Sequence, residues 1–333
     1  MSCDERSLLR SVSQAGEQLG RDLQQAEIAS ASWQDEACSC ELVFAAMDRC
    51  LATLAATDCW GETNRLPSSR LWQIAGSWLE TGWLQHRARF KPRGYAGDFE
   101  LLAAICNETL CQDPLGRIFD RYFQSQQAPC AVRNRTRMVT DAIVAKCRQA
   151  SEASVKIASI GCGPALDVCR AVETLGRRDI PNVRVTLVDM DPAALDQARQ
   201  QLESRIGDGQ LDCVRENLFR LHRRNAAGEL FGDSDFIVCT GLFDYLHDTD
   251  AAGLLQCMWR SLSPGGRLLV FNFAPANTSR AYMEWIGNWY LIYRDRRQMR
   301  ALADQAGIPR VRLKIDAEAT GVDLCWDARK PND

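Results

Sequence analysis

The sequence lacks any apolar run long enough to cross a bilayer, and it lacks a strong excess of one charge. Its 333 residues include 40 Lys and Arg against 43 Asp and Glu, for a formal net charge of -3. This balance provides no broad basic face of the kind that nucleic-acid backbones require. The first residues alternate charged and apolar side chains like a surface helix, unlike a signal peptide or a membrane anchor. We therefore expect a cytoplasmic protein that neither spans a membrane nor binds nucleic acid.

Cysteine pairs of the C-x-x-C type are also absent, although the chain has 15 cysteines. Only Cys38 and Cys40 lie very close together, so the spacing typical of metal ligands is missing. Four others lie within apolar segments, namely Cys147, Cys169, Cys239 and Cys257. A free thiol in such a segment packs as a small apolar side chain. We expect reduced thiols and no metal site.

The chain does have enough apolar residues, 46%, to bury a full core. Up to about residue 150 these residues recur at helical spacing, with hardly a candidate strand. The segment SRLWQIAGSWLETGWLQHRARF, residues 69–90, has apolar side chains at steps of three and four. This spacing predicts an amphipathic helix that ends before Pro92. We expect an all-helical region over residues 1–130.

From residue 155 the pattern changes to short apolar runs separated by helical stretches. The runs VKIASIG, VRVTLVDMD, LDCVREN, DFIVCTG and RLLVFNF are typical of buried parallel strands. Their alternation with helices predicts an α/β fold with a doubly wound sheet. The segment VRLKIDAEATGVDLCWDARK adds two strand-like runs around a Thr-Gly turn, which indicates a terminal antiparallel hairpin. We assign residues 131–333 to this α/β domain.

A glycine turn, SIGCGP at residues 159–164, follows the first of these strands. Glycine allows the backbone to approach a nucleoside closely at the carboxyl edge of such a sheet. The second strand ends in an aspartate, and its carboxylate is suited to accept both hydroxyls of a ribose. Five residues are therefore candidate contacts of a nucleoside cofactor: Ser159, Gly161, Gly163, Asp189 and Met190.

A dinucleotide dehydrogenase shares a glycine turn and an acidic strand end, but it usually has a third glycine where this chain has Leu166. Pro164 also argues against a pyrophosphate held on the helix N-terminus. The segments IGCGPALDV and VDMDPAALDQA instead resemble the first two motifs of the class I S-adenosylmethionine-dependent methyltransferases, over roughly the last 180 residues. The resemblance implies a Rossmann-like sheet and S-adenosyl-L-methionine as the cofactor.

In that superfamily the glycine turn borders the methionine part of the cofactor, and the acidic strand end holds the ribose. Residues after the third and fourth strands flank the adenine, which here implies Asn217, Leu218, Thr240 and Gly241. Many members carry an acidic residue two positions before the first glycine, where this chain has Ser159. Because Ser159 is not acidic, another residue is expected to contact the amino group of the cofactor.

The upstream run KPRGYAGDFELL, residues 91–102, resembles a narrower group of the superfamily, together with AVRNRTR and MEWIGNWYLIYRD. That group includes bacterial enzymes assigned to the synthesis of 3-hydroxy fatty acid methyl esters for quorum sensing. Its members carry a helical region ahead of the methyltransferase domain. The resemblance implies that residues 1–130 form a helical lid and substrate region.

The same run contains candidates for the amino-acid end of the cofactor. A bidentate arginine suits a carboxylate, so we assign Arg93 to the carboxylate of the cofactor. Tyr95 or Asp98 would replace the missing acidic contact, and Tyr95 is a catalytic candidate. The alternative is a surface turn in which Asp98 is the N-cap of a helix. Three alternating arginines further along are expected on a solvated helix face: Arg133, Arg135 and Arg137. One of them is an additional candidate for contact with an anion.

Two catalytic candidates, Tyr245 and His247, follow the fourth strand. This fold usually presents groups to the acceptor substrate there, so His247 is the obvious general base. The alternatives are a histidine at the start of a helix and a tyrosine in the core.

An aromatic segment, YMEWIGNWYLIYRDRR, provides the candidate substrate contacts. Helical spacing would place Trp285, Trp289 and Ile292 on one face, and tyrosines extend it. A pocket wall and ordinary core packing both fit this pattern. The candidate substrate contacts are Trp285, Trp289, Tyr290 and Tyr293.

The expected reaction follows from the lack of a decisive base. A carboxylate acceptor is already ionised, so alignment and exclusion of water suffice for methyl transfer. We therefore expect a methyltransferase of secondary or signalling metabolism that acts on a carboxylate or another small acceptor. In one alternative, the amine of the cofactor attacks its own γ-carbon and forms azetidine-2-carboxylate and methylthioadenosine. In another, the protein is a cofactor-binding regulator without chemistry. Whichever function applies, exposed apolar faces on the N-terminal helices would allow a homodimer.

Overall fold

The computed structural model describes residues 3–150, 154–175, 183–207, 209–219 and 227–332. The chain forms two compact units, one of Met1–Cys130 with Thr278–Leu291 and one of Ala131–Asn277 with Ile292–Asp333. The predicted domains, 1–130 and 131–333, differ from these units in one respect. The aromatic segment Thr278–Leu291 groups with the helical unit, although the prediction assigned it to the α/β domain.

The first unit is helical, as predicted. Its helices are α1 (Cys3–Ala29), α2 (Glu36–Ala55), α3 (Arg65–Leu79), α4 (Trp83–Phe90), α5 (Phe99–Cys106) and α6 (Pro114–Ser125). Residues 69–90 were predicted as one helix, but α3 ends at Leu79 and α4 begins at Trp83. The reason is tertiary, because the buried Asp120 accepts the N–H of Leu84 at 2.8 Å and thereby satisfies the start of a new helix.

The second unit is built on a seven-stranded sheet in the order β3-β2-β1-β4-β5-β7-β6. The strands are β1 (Val155–Ile160), β2 (Val183–Asp189), β3 (Leu211–Arg215), β4 (Ser234–Cys239), β5 (Leu262–Phe273), β6 (Leu313–Ala317) and β7 (Asp323–Arg329). β1 to β5 are parallel, and β7 is antiparallel to both β5 and β6. The predicted parallel sheet with a terminal antiparallel hairpin is confirmed.

Helices accompany these strands along the chain. They are α7 (Gln127–Gln149), α8 (Leu166–Thr174), α9 (Pro192–Leu202), α10 (Ala227–Phe231), α11 (Asp248–Ser261) and α12 (Arg296–Gln305). Alternate residues of β1 belong to two different apolar clusters, with Ile157 in one and Ile160 in the other. β1 is therefore buried on both faces, which explains why the parallel strands are continuous apolar runs in the sequence.

The strand order determines where a ligand can bind. The chain proceeds from β1 to β2 and β3 on one side and then returns to β4 and β5 on the other side of β1. In an open α/β sheet, the crevice at such a reversal lies outside the carboxyl ends of the strands. The switch point is between β1 and β4, where the glycine turn follows β1.

The described ranges show neither a metal site among the cysteines nor a membrane span among the helices. Cys147, Cys169 and Cys239 are buried and Cys257 is half-buried, all as free thiols. No group of His, Cys, Asp and Glu side chains in those ranges is arranged to hold a metal ion. None of the described helices combines the length and the apolar character that a membrane span requires.

Candidate active site

The glycine turn after β1 takes the backbone conformation that its sequence suggests. Gly161 has φ +63° and Gly163 has φ +50°, both in the left-handed region that favours glycine. The N–H of Gly161 donates to the carbonyl oxygen of Val188 at 2.8 Å, which ties the turn to the end of β2. Ser159, two positions earlier, is 3% exposed and lies inside β1.

Gly161 brings together three segments at this edge of the sheet. A Cβ at Gly161 would lie 3.4 Å from Cδ1 of Leu218 and 3.5 Å from Cβ of Leu242. Leu218 follows β3 and Leu242 follows β4, so the ends of three strands meet at the turn. Gly161 and Leu218 were predicted. Leu242 was missed, although it comes directly after the predicted Thr240 and Gly241.

Asp189 is joined to the same turn by hydrogen bonds. Its Oδ2 accepts the N–H of Gly163 at 2.8 Å, and its Oδ1 accepts the N–H of Asp191 at 2.9 Å. Burial raises the pKa of this carboxyl, and the two backbone hydrogen bonds oppose that effect. An ionised carboxylate has about four acceptor sites. Asp189 therefore retains capacity for the hydroxyls of a ribose.

The remaining predicted cofactor residues differ in exposure. Leu218 is buried, whereas Met190 is 43% exposed next to Asp189. Asn217 is exposed, and its Oδ1 accepts the N–H of Phe219 at 3.1 Å. Asn217 thus closes a local turn, while Leu218 presents apolar surface beside the glycine turn. A carboxylate for a ribose next to apolar side chains fits an adenosine moiety.

Arg135 on α7 was expected on a solvated face, and this expectation is wrong. Arg135 is 5% exposed, and its Nη1 forms an ion pair with Oδ2 of Asp323 at 2.8 Å. Its Nη2 lies 3.3 Å from the position that a Cβ would take on Gly241. Burial raises the pKa of Asp323, and the charge of Arg135 opposes this shift. The arginine is tolerated in the interior because its charge is paired.

A second buried polar network holds the segment after β4. Arg294 is 1% exposed, and it donates to the carbonyl oxygen of Phe243 at 2.9 Å and to Oδ1 of Asn272 at 2.6 Å. Oδ1 of Asp244 accepts from Nδ2 of Asn272 at 3.0 Å and from the N–H of Phe273 at 2.8 Å. Burial raises the pKa of Asp244. No sequence pattern indicates this network, because its members are ordinary polar residues far apart in the chain.

The two catalytic candidates after β4 are less buried than this network. His247 is exposed and occupies the N-cap position of α11 without a side-chain capping hydrogen bond. Tyr245 is half-buried in a short 3-10 turn, Phe243–Tyr245. The position of His247 agrees with the alternative of a helix-start histidine.

The KPRGYAGD run lies in the helical unit, between α4 and α5. Asp98 is the N-cap of α5, since its Oδ1 accepts the N–H of Leu101 at 3.0 Å, and it pairs with Arg87 at 2.9 Å. Arg93 pairs with Glu100 at 3.4 Å, and its guanidinium carbon lies 4.7 Å from the centroid of the Phe99 ring. Tyr95 is half-buried. The N-cap assignment of Asp98 is confirmed, and the cofactor role of Arg93 stays a prediction.

The aromatic segment does not form the predicted helical face. Tyr282–Ile286 is a single π-helical turn, after which the chain runs without regular structure to Asp295. Asn288 has φ +47°, and the N–H of Trp289 donates to the carbonyl oxygen of Met283 at 2.8 Å. Trp285 and Trp289 are buried, and Tyr290 is half-buried. Tyr293 and Ile292 belong to the second unit, so the predicted aromatic set is divided.

Comparison with known proteins finds a family match within the α/β unit. Residues 158–268 match the family model of a methyltransferase domain. This range contains the glycine turn, Asp189 and the segments that follow β3 and β4. Over these residues the chain is similar to a methyltransferase domain, and this similarity supports S-adenosyl-L-methionine as the cofactor. No curated protein matches the chain.

Solved structures share the fold. A possible exported protein from Bordetella parapertussis is 19% identical, with a TM-score of 0.58, over 99% of this chain and 96% of that chain. The CurJ carbon methyltransferase is 14% identical, with a TM-score of 0.50, over 97% and 91%. Magnesium protoporphyrin IX methyltransferase from Synechocystis PCC 6803, with bound SAH, is 14% identical, with a TM-score of 0.46, over 64% and 93%. The first two likenesses and the strand order confirm the predicted class I methyltransferase fold.

Proposed function

We propose that this protein is an S-adenosylmethionine-dependent methyltransferase that acts on a carboxylate of a small molecule in secondary or signalling metabolism. One observation carries the proposal. Gly161, Leu218 and Asp189 gather at the switch point of the sheet, inside the segment that matches a methyltransferase domain. The resemblance of the KPRGYAGD run to ester-forming enzymes supports the acceptor class.

Each of these residues has a distinct task toward the cofactor. Bound S-adenosyl-L-methionine supplies an electrophilic methyl group on a sulfonium sulfur. Asp189 accepts hydrogen bonds from the N–H groups of Gly163 and Asp191, and its remaining lone pairs accept the ribose hydroxyls. Gly161 allows the backbone to approach, and Leu218 and Leu242 exclude water beside it.

The acceptor class follows from the groups near the end of β4. Asp244 is buried, and its Oδ1 already accepts hydrogen bonds from Asn272 and Phe273, which does not favour it as a base toward an acceptor. His247 is exposed and has no side-chain capping bond that would orient its ring. A hydroxyl or amine acceptor needs a positioned base, whereas a carboxylate brings an ionised oxygen. Positioning and exclusion of water then suffice for methyl transfer.

The test is mass spectrometry of the products. The purified protein is incubated with S-adenosylmethionine alone, and then with fatty, 3-hydroxy fatty and aromatic carboxylic acids, next to boiled protein. We expect intact cofactor in the first case, and S-adenosylhomocysteine with a methyl ester in the second. Methylthioadenosine and azetidine-2-carboxylate from the cofactor alone would replace methyl transfer by cyclisation. A bound cofactor that stays intact with every acid would instead favour a regulator.

A further inference from the structure

A face of α3 in the helical unit carries polar groups that are buried without hydrogen-bond partners. Asn64, Ser68 and Trp72 are spaced four residues apart and so lie on one side of the helix and its N-cap. Asn64 is 0% exposed. Within the described ranges, neither polar atom of its amide has a partner, nor does Nε1 of Trp72 or of the fully buried Trp285. Such orphaned groups are rare in protein interiors.

Arg89 of α4 lies against this face. Its Nη1 donates to Oγ of Ser68 at 2.7 Å and lies 3.4 Å from the carbonyl oxygen of Trp285. Its guanidinium carbon is 4.8 Å from the centroid of the Trp72 ring. The positive charge therefore lies between α3 and Trp285, among aromatic side chains.

A second cation lies close to Arg89. Nζ of Lys91 donates to the carbonyl oxygen of Asn288 at 2.6 Å. Burial, together with the charges of Arg89 and Arg65, lowers the pKa of Lys91 to about 8. Burial also lowers the pKa of Arg89 to about 10. No carboxylate in the described part of the chain forms an ion pair with Arg89 or Lys91.

Glu284, a buried acid of the same helical unit, already has hydrogen-bond partners. Oε1 of Glu284 accepts from Nε of Arg280 at 2.7 Å, and its Oε2 accepts the N–H of Gly61 at 2.6 Å. Arg65, whose charge also acts on Lys91, pairs with the exposed Glu62. Within the described ranges, Arg89 and Lys91 therefore have no carboxylate as an ion-pair partner. Burying cations without anions is unfavourable for stability, and functional sites are where such arrangements concentrate.

We propose that this Arg89 cluster, composed of Asn64, Ser68, Trp72, Arg89, Lys91 and Trp285, binds the carboxylate of a small organic acid with an apolar or aromatic body. Arg89 offers a planar fork that matches a carboxylate, and Lys91 adds a point charge. The amide of Asn64 and the two indole N–H groups are further donors. The indole rings contact the body of the acid.

The cluster thus defines a substrate class for the proposed function. Only the statement that the bound acid is the methyl acceptor rests on that function. The binding site itself is carried by contacts within the helical unit. A carboxylate is also present on the amino-acid end of the cofactor, and the experiment must separate the two sources.

The experiment is calorimetric titration of the full-length protein with benzoate and with octanoate. Benzamide and octanamide are the neutral controls, and S-adenosylhomocysteine is the competitor. We expect each acid to bind about tenfold or more tightly than its amide, with no competition by S-adenosylhomocysteine. Equal binding of acid and amide would refute the site. If S-adenosylhomocysteine displaces the acid as it saturates the protein, the acid occupies the place of the cofactor's own carboxylate. This outcome would also overturn the proposal.

Variants localise the binding. Arg89→Met should weaken acid binding about tenfold or more, and Asn64→Leu several-fold, while the affinity for S-adenosylmethionine is retained. Arg70→Met is the matched control, because exposed Arg70 lies on the same helix and contacts Ser13 and Gln73. Unchanged acid binding in both Arg89→Met and Asn64→Leu would sink the proposal. Since Asn64→Leu removes only unpartnered groups, it tests the site even if Arg89→Met fails to fold.

Proton uptake provides a second readout. The charges of Arg89 and Arg65 act on Lys91, while Tyr290 acts on Arg89 and Glu284 acts on Tyr290. A bound anion raises the pKa of Lys91, so binding at about pH 8 should take up about half a proton, and binding at about pH 6.5 almost none. Calorimetry in two buffers of different ionisation enthalpy measures this difference. Equal uptake in Lys91→Met would contradict the assignment.

The two proposals fail separately. If acids bind the cluster but no methyl ester forms, the binding site is supported and carboxylate methylation is contradicted. Ester formation with an unchanged KM in Arg89→Met would support methylation and reject the cluster as the acceptor site.

Discussion

The carboxylate of Asp189 accepts the backbone N–H of Gly163 at 2.8 Å. This hydrogen bond joins the end of β2 to the turn after β1, so the acidic residue and the glycine turn form one local structure. Asp189 thus has two tasks, because it shapes the turn and is the predicted acceptor for the ribose.

Asp189→Ala should lose most of the affinity for S-adenosylmethionine. It removes the ribose acceptor and also releases the N–H groups of Gly163 and Asp191. Hydrogen bonds to a charged group contribute about 1.5 to 3 kcal/mol each, which corresponds to roughly a tenfold to hundredfold loss. Calorimetry measures the affinity, with exposed Asp212→Ala on β3 as the control. Equal affinity in the two variants would reject the ribose assignment.

Gly161→Ala tests the close approach of the cofactor. The added methyl group meets Leu218 and Leu242 at ordinary contact distances, so the cost to folding is the strain of positive φ, about 1 to 2 kcal/mol. Gly307→Ala is the matched control, since Gly307 has φ +75° and open space around it. We expect similar melting temperatures for the two variants but a loss of cofactor affinity only in Gly161→Ala. If both variants keep full affinity, the backbone at Gly161 does not adjoin the ligand.

Arg294→Met should destabilise the protein strongly. The substitution leaves the carbonyl oxygens of Phe243 and Leu246 without their donor in a buried region. Breaking a buried charged network typically costs about 3 to 5 kcal/mol. Arg310→Met, which breaks the exposed pair with Asp304, should cost about 0 to 1 kcal/mol. Denaturant unfolding compares the two, and similar losses would show that the network does not stabilise the segment after β4.

The pH dependence of stability should reflect Asp167 at the start of α8. Burial raises the pKa of Asp167 to about 6, from an ordinary value of 3.8. Between these values the native state binds the proton more tightly than the unfolded state. The free energy of unfolding therefore falls as pH rises from about 4 to 6, by up to about 1.4 kcal/mol per pH unit. This decline should be shallower in Asp167→Asn and unchanged in Asp212→Asn. An identical decline in all three proteins would contradict the raised pKa.

Arg93→Ala should lose turnover while the protein stays folded. The predicted partner of Arg93 is the carboxylate of the cofactor, and its pair with half-exposed Glu100 stabilises the fold by only about 0 to 1 kcal/mol. Glu100→Gln removes that pair but keeps Arg93, so it should keep turnover. Product formation and melting temperature are measured for both variants. Normal turnover in Arg93→Ala would leave Arg93 a purely structural residue of the helical unit.

Much of the architecture could be read from the sequence because it depends on local pattern. Apolar runs separated by helical stretches predicted the sheet, and the Thr-Gly turn predicted its final hairpin. The N-cap role of Asp98 was readable because a short polar side chain reaches N–H groups only two and three residues ahead. The turn conformation at Gly161 and Gly163 was readable for the same reason.

The interpretations that failed required knowledge of distant partners. Arg135 has the spacing of a solvated helix face, yet it is buried because it pairs with Asp323, 188 residues further along the chain. The helix predicted over 69–90 is divided because Asp120, 36 residues away from Leu84, satisfies the start of α4. Trp285 and Trp289 do not share the predicted helix face, because the chain makes one π-helical turn and then continues without regular structure.

The sequence by itself determined the alternation of strands and helices, the glycine turn, the acidic end of β2 and the caps, since each depends on neighbours within a few residues. Only the tertiary structure decided that Leu218 and Leu242 meet at Gly161, that Arg135 and Arg294 are buried, and that Arg89 lies against Ser68 and Trp72. Such arrangements arise from long-range packing, in which a side chain's environment is set by segments that no local pattern specifies.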